Sequence, residues 1–377
     1  MVTMRKPAFL IAWLMLCSLA LGAAWTTKRL SHSTGNSHYP TIAATDSAVY
    51  AVWDDDTPGN HEIYLRKSIT GGATWQIAQK LTDNKGESSK PAIAVNRSNV
   101  FVSWQDDTPG NIEIYFKKSA DGGATWPPAQ RLTNNTGDSC NPAIAVSGSS
   151  LFVVWENETS GNNNIYFRKS TDAGATWQPA KRLTNDPGDS LSPALAVSGA
   201  NVYVVWKNMA SGNGEVCFRK STDTGATWQT VQRITNNAGN SNDPTIAIDG
   251  PIVYLSWTDY TPGNGEIYLE KSRDGGSTWQ AAKRLTYNSG ESFVPRIAVS
   301  GASVYLVWED KTPGNYEIYF KKSADGGATW PPAQRLTKTT GYSGFPKIAV
   351  NTSSVFVVWN DETPGNSEIY LKYSHLE

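Results

Sequence analysis

Apolar and polar positions alternate in short bursts along this chain, and the bursts return at a constant interval of 51 residues. One unit shows the pattern. Residues 142–146 (Pro-Ala-Ile-Ala-Val) form a brief apolar run. After a Ser-Gly-Ser turn, residues 151–155 (Leu-Phe-Val-Val-Trp) are aromatic and β-branched, which suits an interior strand. A polar loop over 156–163 leads to residues 165–169 (Ile-Tyr-Phe-Arg-Lys), which alternate as a half-buried strand does. A turn over 170–176 ends at Trp177, and a last run closing on Lys181-Arg182-Leu183 faces more water. The unit is therefore four short strands, A to D, expected to lie in that order from inside to outside.

One such sheet cannot bury both faces, whereas stacked copies can, so a period near 50 points to a radial ring of blades or to an open array. An open array needs atypical polar caps at its ends, and none is present in the repeats. Strands A to C occur seven times, beginning at Pro40, Pro91, Pro142, Pro193, Pro244, Pro295 and Pro346. The seventh copy stops at Glu377, before its own strand D. Residues 25–30 (Trp-Thr-Thr-Lys-Arg-Leu) supply a strand D with no strands before it. The expected fold is all-β: a seven-bladed β-propeller of four-stranded antiparallel blades over residues 25–377, its last blade closed by the N-terminal strand. Closure removes the open edges that otherwise invite aggregation.

Composition adds the setting. Arg5 and Lys6 precede an apolar run from Ala8 to Leu21 and then Gly22-Ala23-Ala24, which reads as a secretory signal over residues 1–24. The run is short for a membrane span, and the other apolar runs are strand length, so no span is expected after cleavage. A secreted or periplasmic monomer follows. Charge is nearly balanced, with 33 Lys and Arg against 34 Asp and Glu, which disfavours nucleic acid as a partner. Cys140 and Cys217 sit in different parts of the repeat, two units apart, and are not expected to pair.

All Trp residues except Trp13 occupy two repeat registers, one in strand B (Trp53 to Trp359) and one opening strand D (Trp25, then Trp75 to Trp330). Aromatic residues at one register in every blade read as packing rather than as sugar platforms. The D-strand Trp ends the element Ser-x-Asp-x-Gly-x-Thr-Trp, with Asp121, Asp172, Asp223, Asp274 and Asp325 placed to accept turn N–H groups. In the first copy Thr70 replaces Asp. The element resembles the Asp-box of the sialidase, or BNR, repeat superfamily. That resemblance implies a structural, peripheral role for the box, and by itself no activity.

It also implies what a sialidase would need: three arginines on the substrate carboxylate, a Tyr nucleophile paired with Glu, and an Asp acid/base. Such residues have to break the repeat. Arg29, Arg131, Arg182, Arg233, Arg284 and Arg335 share one register in strand D, with Lys80 in the remaining slot, and Arg66, Arg168 and Arg219 share one in strand C. These read as solvated outer-strand charge. Of the singular Arg97, Arg273 and Arg296, only Arg296 is placed to reach an axial pocket. The arginine triad and an Arg-Ile-Pro signature near the start are missing, so the chain is a non-standard relative. No catalytic residue is assigned from the sequence, and the balance leans against an enzyme.

The B–C and D–A loops should share one face. The B–C loop repeats Asp55-x-x-x-x-Asn60-x-Glu62, with Asp106, Asn111 and Glu113, Asp259, Asn264 and Glu266, and Asp310, Asn315 and Glu317 as equivalents. It reads first as a Pro-Gly turn; a ring of oxygen-rich sites for calcium or sugar hydroxyls is the weaker alternative. Each D–A loop keeps a Gly and a Ser two apart, and the next two residues do not repeat. These, with their neighbours, should ring the central channel: His38, Tyr39, Lys90, Asn141, Asp243, Phe293, Arg296, Phe345 and Lys347. The leading function is a secreted binding or scaffold propeller recognising glycans or a cell-surface protein on this face. The alternatives are a sialidase-like glycoside hydrolase and a purely structural envelope module.

Overall fold

The structure, a computed structural model, describes residues 24–158 and 161–376. The expected signal segment lies outside the described residues, apart from its final Ala24. The described residues form 28 strands in seven four-stranded antiparallel sheets. Blade 1 contains β2 (Ser37–Ala44), β3 (Val49–Asp55), β4 (Glu62–Ser68) and β5 (Gln79–Lys80), paired in that order. Blades 2 to 6 repeat it. Blade 7 contains β26 (Ser343–Val350), β27 (Ser354–Asp361) and β28 (Glu368–His375), completed by β1 (Thr26–Arg29). β1 pairs with β28 from Thr26 opposite Tyr373 to Arg29 opposite Tyr370, so the ring closes as the sequence implied.

Strand B is the core strand: every residue of β3 is buried. Its alternation feeds two layers at once. Ala51 and Trp53 pack toward blade 7, while Tyr50 and Val52 pack with Val100, Val102 and Trp104 of blade 2. The D-strand Trp wedges the outer edge. Trp177 meets Phe116 of the preceding blade edge-on at 5.2 Å, and Trp228 does the same to Phe167 at 5.1 Å. Both Trp series are thus consumed by packing between blades. The boxes are structural as expected: Asp121 accepts bonds from Ser119 Oγ (2.6 Å), Thr125 Oγ1 (2.6 Å), Thr125 N (2.9 Å) and Ala124 N (3.0 Å). These donors hold its carboxyl well below the usual carboxylate range. In blade 1, Thr70 Oγ1 accepts from Thr74 N at 2.9 Å and does the same job uncharged.

Two expectations need correction. In blades 1 to 6, strand D is only a two-residue ladder, as in Lys181–Arg182. The strand-D arginines keep contact with solvent but are not merely solvated charge. Arg29, Arg131, Arg233, Arg284 and Arg335 each bond a buried glutamate (Glu368, Glu113, Glu215, Glu266 and Glu317) at 2.6–2.8 Å. The strand-C cations are also engaged: Lys117 and Arg219 bond the carbonyls of Leu81 and Leu183 in the preceding blades, each at 2.5 Å.

The repeated Gly and Ser of the D–A loop have a physical reason. The loop lies directly on the B–C loop, and a methyl on Gly239 would stand 2.3 Å from Thr261 N. The Ser hydroxyl then caps strand B, as when Ser37 Oγ donates to Asp55 Oδ2 at 2.6 Å. No helix among the described residues is long and apolar enough to cross a membrane. Cys140 and Cys217 are both free thiols.

Candidate functional site

The entry to each strand A carries the same irregularity. The pairing of strands A and B shifts register between the first residue after the repeated Ser and the residue just after the Pro, as between His38 and Thr41. The residue in the bulge is left-handed in all seven blades: Tyr39, Lys90, Asn141, Ser192, Asp243, Val294 and Phe345 have φ of 47–53°. None is glycine. Val294, being β-branched, is the most costly, at roughly 1–3 kcal/mol of local strain. The Pro that follows has no N–H to pair, so the bulge sacrifices no ladder bond there.

The bulge turns seven non-repeating side chains onto the wall of one axial cavity of about 530 Å³. Tyr39, Lys90, Asn141, Asp243 and Phe345 line it from bulges, and Arg296 and Lys347 line it from the next register. Seven of the nine rim residues singled out in the sequence therefore converge. His38 and Phe293 do not line the cavity. His38 packs against Tyr39 and His61, at 6.2 and 6.0 Å between rings, and Phe293 lies edge-on to Tyr316 at 5.4 Å. Ser192 and Val294 join the wall without having been singled out.

A second non-repeating register escaped the sequence analysis. The residue after each strand-B Trp reads Asp54, Gln105, Glu156, Lys207, Thr258, Glu309 and Asn360. In five blades its side chain accepts the bulge N–H of the next blade: Asp54 from Lys90 (3.1 Å), Gln105 from Asn141 (3.1 Å), Glu156 from Ser192 (2.6 Å), Thr258 from Val294 (3.1 Å) and Glu309 from Phe345 (2.7 Å). The signal was available, since this is the polar variable position of an otherwise repeated apolar strand.

The electrostatics are uneven around the ring. Burial raises the Asp243 carboxyl, an effect opposed by Arg296 and Lys207. Burial lowers Arg296 despite Asp243 and Glu309, and it pushes Lys347 well below the lysine range, with Arg296 adding to that shift. Asp243, Arg296 and Lys347 are all partly exposed, to the water of the cavity. Glu309 is fully buried one layer back, and burial lifts it to about 7 even though Phe345 N and the Tyr342 hydroxyl (3.1 Å) donate to it. Asp54 is raised by burial and bonds His61 Nδ1 at 2.9 Å, and this bond raises His61.

Glu309 gives a direct stability prediction. Its folded value of about 7 lies above the ordinary 4.5, so the folded state holds the proton more tightly. The stabilisation is complete below 4.5 and is lost as pH rises to about 7. Glu309→Gln keeps an acceptor for Phe345 N without the charge. Chemical unfolding at pH 4.5 and pH 8 should show the variant gaining on the order of 2–3 kcal/mol relative to wild type between the two. Parallel curves at both pH values would remove the burial argument.

In the oxygen-rich B–C ring most oxygens are already engaged by protein donors. Glu113 Oε1 already accepts from Arg131 (2.7 Å), Asn111 (3.2 Å) and Asn135 N (3.0 Å), while Asp106 accepts from Ser88 (2.6 Å), Asn84 (2.8 Å) and Trp104 (3.2 Å). Asn60, Asn264 and Asn315 donate to the D–A carbonyls as Asn111 does. Glu266 and Glu317 take Arg284 and Arg335, Asp55 takes Ser37, and Asp259 and Asp310 take Ser241 and Ser292. Glu62 takes Asn84 N and Lys80. The ring fastens loops to blades, and a calcium ion would have to displace these donors. Among the described residues no three His, Cys, Asp or Glu come together as a metal site. Shallow hollows do recur between blades, as beside Trp104 and Tyr115, Trp155 and Tyr166, and Trp308 and Tyr319.

A closed seven-bladed ring fastened by Asp-boxes, with an asymmetric polar cavity on its axis, defines a sialidase-like β-propeller. The family model of the BNR repeat-like domain matches residues 101–358, and the chain belongs to that family. A xyloglucanase of Paenibacillus sp is 31% identical over 321 residues, covering 77% of this chain and 26% of that protein. A sialidase of Bacteroides fragilis strain YCH46 is 21% identical over 324 residues, covering 71% of this chain and 56% of that protein. The chain thus spans about a quarter of the length of that xyloglucanase. Among solved structures, a phage phi92 endosialidase superposes with a TM-score of 0.58 at 10% identity, covering 94% of this chain and 70% of the other. A GH93 α-L-arabinofuranosidase of Fusarium graminearum gives 0.55 at 16% identity, covering 76% and 92%. The fold is that of carbohydrate-active propellers.

Proposed function

We propose that this protein acts on glycans as a glycoside hydrolase, holding an acidic sugar residue in the axial cavity with Asp243 as its proton donor. The sequence alone placed a binding or scaffold role first; the kinship with xyloglucanases and sialidases gives more support to the hydrolase alternative. The observation that carries the reading is the meeting of Asp243 with Arg296 and Lys347 on one wall. A carboxyl raised by burial holds its proton to higher pH than an ordinary aspartate does, which favours passing it to a leaving glycosidic oxygen. The two cations, stripped of bulk water, favour a ligand bearing a carboxylate, which would also return charge to Lys347.

Hydrolysis also needs a second group in contact with sugar or water. Glu309, hydrogen-bonded to Tyr342 at 3.1 Å and within electrostatic reach of Asp243, is buried one layer behind the wall and would have to act through Tyr342 or an admitted water. The test is release of fluorophore from aryl glycosides, with sialosides and uronides beside neutral arabinosides and glucosides. Turnover should be confined to the acidic sugars. No turnover of any of them, with the protein folded, retires the hydrolase.

Binding without turnover is the second reading. One observation favours it: Asp243 is the single carboxylate on the described cavity wall, while the inter-blade hollows recur. Weak equivalent sites gain from multivalency. Calorimetric binding of an acidic glycan without its cleavage would establish it.

A further inference from the structure

Four registers of the loop face break the repeat: the residue before the D–A Ser, the two after it, and the residue before the strand-C acid or amide. In blades 2 to 5 these registers hold no aromatic side chain. In blades 6, 7 and 1 they hold Phe293, Tyr316, Tyr342, Phe345, Tyr39, His38 and His61. The rings touch in series. Phe293 meets Tyr316 at 5.4 Å, Tyr316 meets Tyr342 at 5.1 Å, Tyr342 meets Phe345 at 6.4 Å, and Phe345 meets Tyr39 at 5.1 Å. All of them are partly exposed. The last two also form cavity wall, so the arc leads outward from the cavity without a break.

Blade packing does not require an aromatic ring at the Phe293 or Tyr316 registers. The equivalents of Tyr316 are His61, Ile112, Asn163, Gly214, Gly265 and Ser367. The equivalents of Tyr342 are Asn36 and acids or Asn elsewhere, and Asn36, Glu87, Asp138, Asp189 and Asn240 accept a neighbouring loop N–H, as Glu87 does from His61 N at 2.7 Å. Tyr342 gives up that strut and turns its ring to Tyr316. A contiguous, half-exposed aromatic strip that sacrifices a loop contact is a mark of an interaction surface.

We propose that this arc is an extended saccharide platform, on which a glycan whose end occupies the axial cavity lays its following sugar units across blades 7 and 6. The arc offers apolar ring faces for the C–H faces of sugars. The hydroxyl of Tyr316 and the ammonium of Lys311, which lies 5.2 Å from the Tyr316 ring centre, stand beside them for sugar hydroxyls. Continuity with a polar cavity argues for a chain of sugars over an apolar protein helix. The proposal rests on the reading that the cavity engages a glycan.

The test compares short and long ligands on the full chain. Isothermal titration would use sialyllactose and a sialic acid oligomer, and a xyloglucan repeat unit and the xyloglucan polymer. Tyr316→Ser and Phe293→Ser borrow residues that sister blades carry in the same registers (Ser367 and Ser89), so folding is expected to survive. With wild type, the longer member of one pair should bind more tightly. In the variants that gain should fall about tenfold. Arg296→Ala, by contrast, should weaken the short and long members alike. An unchanged length gain in both serine variants overturns the arc while leaving the cavity reading standing. An unaffected short ligand in Arg296→Ala overturns the cavity reading instead. No measurable binding of any of the four ligands, or tight binding of an unglycosylated protein to the strip, overturns the platform.

Discussion

Removing residues 25–31 should abolish the folded monomer. β1 ends in Arg29, whose guanidinium pairs with the fully buried Glu368 at 2.6 Å, and is followed by Leu30, which is fully buried in the layer between blades 7 and 1. Losing a buried leucine costs roughly 2–5 kcal/mol. Leaving a buried carboxylate without its partner costs about 3–5 kcal/mol more. Together these rival the whole stability of a typical domain, about 5–15 kcal/mol. The truncated chain also exposes the N–H and C=O groups of β28, an edge that pairs with other chains. Size-exclusion chromatography and thermal unfolding should show oligomers or aggregate without a cooperative transition. A monomer that melts like wild type would mean the ring does not depend on this clasp. The ion-pair part has an internal control. Arg182 donates to neutral Asn164 at 2.9 Å where its sisters meet glutamates. Arg131→Ala should therefore cost more than Arg182→Ala, by about 1–3 kcal/mol in urea unfolding.

Asp243→Asn should lower turnover of an acidic aryl glycoside by about 10²–10⁴-fold, the usual contribution of a general acid. Asparagine keeps the size but holds no transferable proton. Burial raises Asp243 above its ordinary 3.8, so in wild type the protonated, active form persists to higher pH than in an ordinary aspartate, and the rate falls as pH rises through the raised value. The variant should lose that alkaline limb along with the rate. If only KM rises while kcat and the pH profile stay put, Asp243 positions the sugar rather than protonating it. A full-rate variant would exclude it from the chemistry.

Much of the architecture was legible in one dimension. The 51-residue interval, the fully apolar strand B and the displaced run at Trp25 state the blade, its core strand and the closure, because a ring can be counted from its repeats. The rim was legible by subtraction: Tyr39, Lys90, Asn141, Asp243, Arg296, Phe345 and Lys347 drew attention by refusing to repeat, and all line the cavity. The arginines misled for the opposite reason. Arg131 and Glu113 are each part of a repeated series, and nothing in either series says that one is the partner of the other.

The sequence by itself therefore determined the number of blades, their strand order and which positions are architecture, since local alternation and periodicity depend only on neighbours along the chain. Tertiary structure decided what the exceptions do. The left-handed bulge before each strand A turns Asp243 and Lys90 onto a shared axis, and ring closure sets Phe345 beside Tyr39, 306 positions away in the sequence. Burial at that axis then separates the carboxyl of Asp243 from those of the exposed boxes, raising the one and leaving the others low. Charge in a cavity depends on which blades face each other and how much water they exclude, and that is a property of the closed ring.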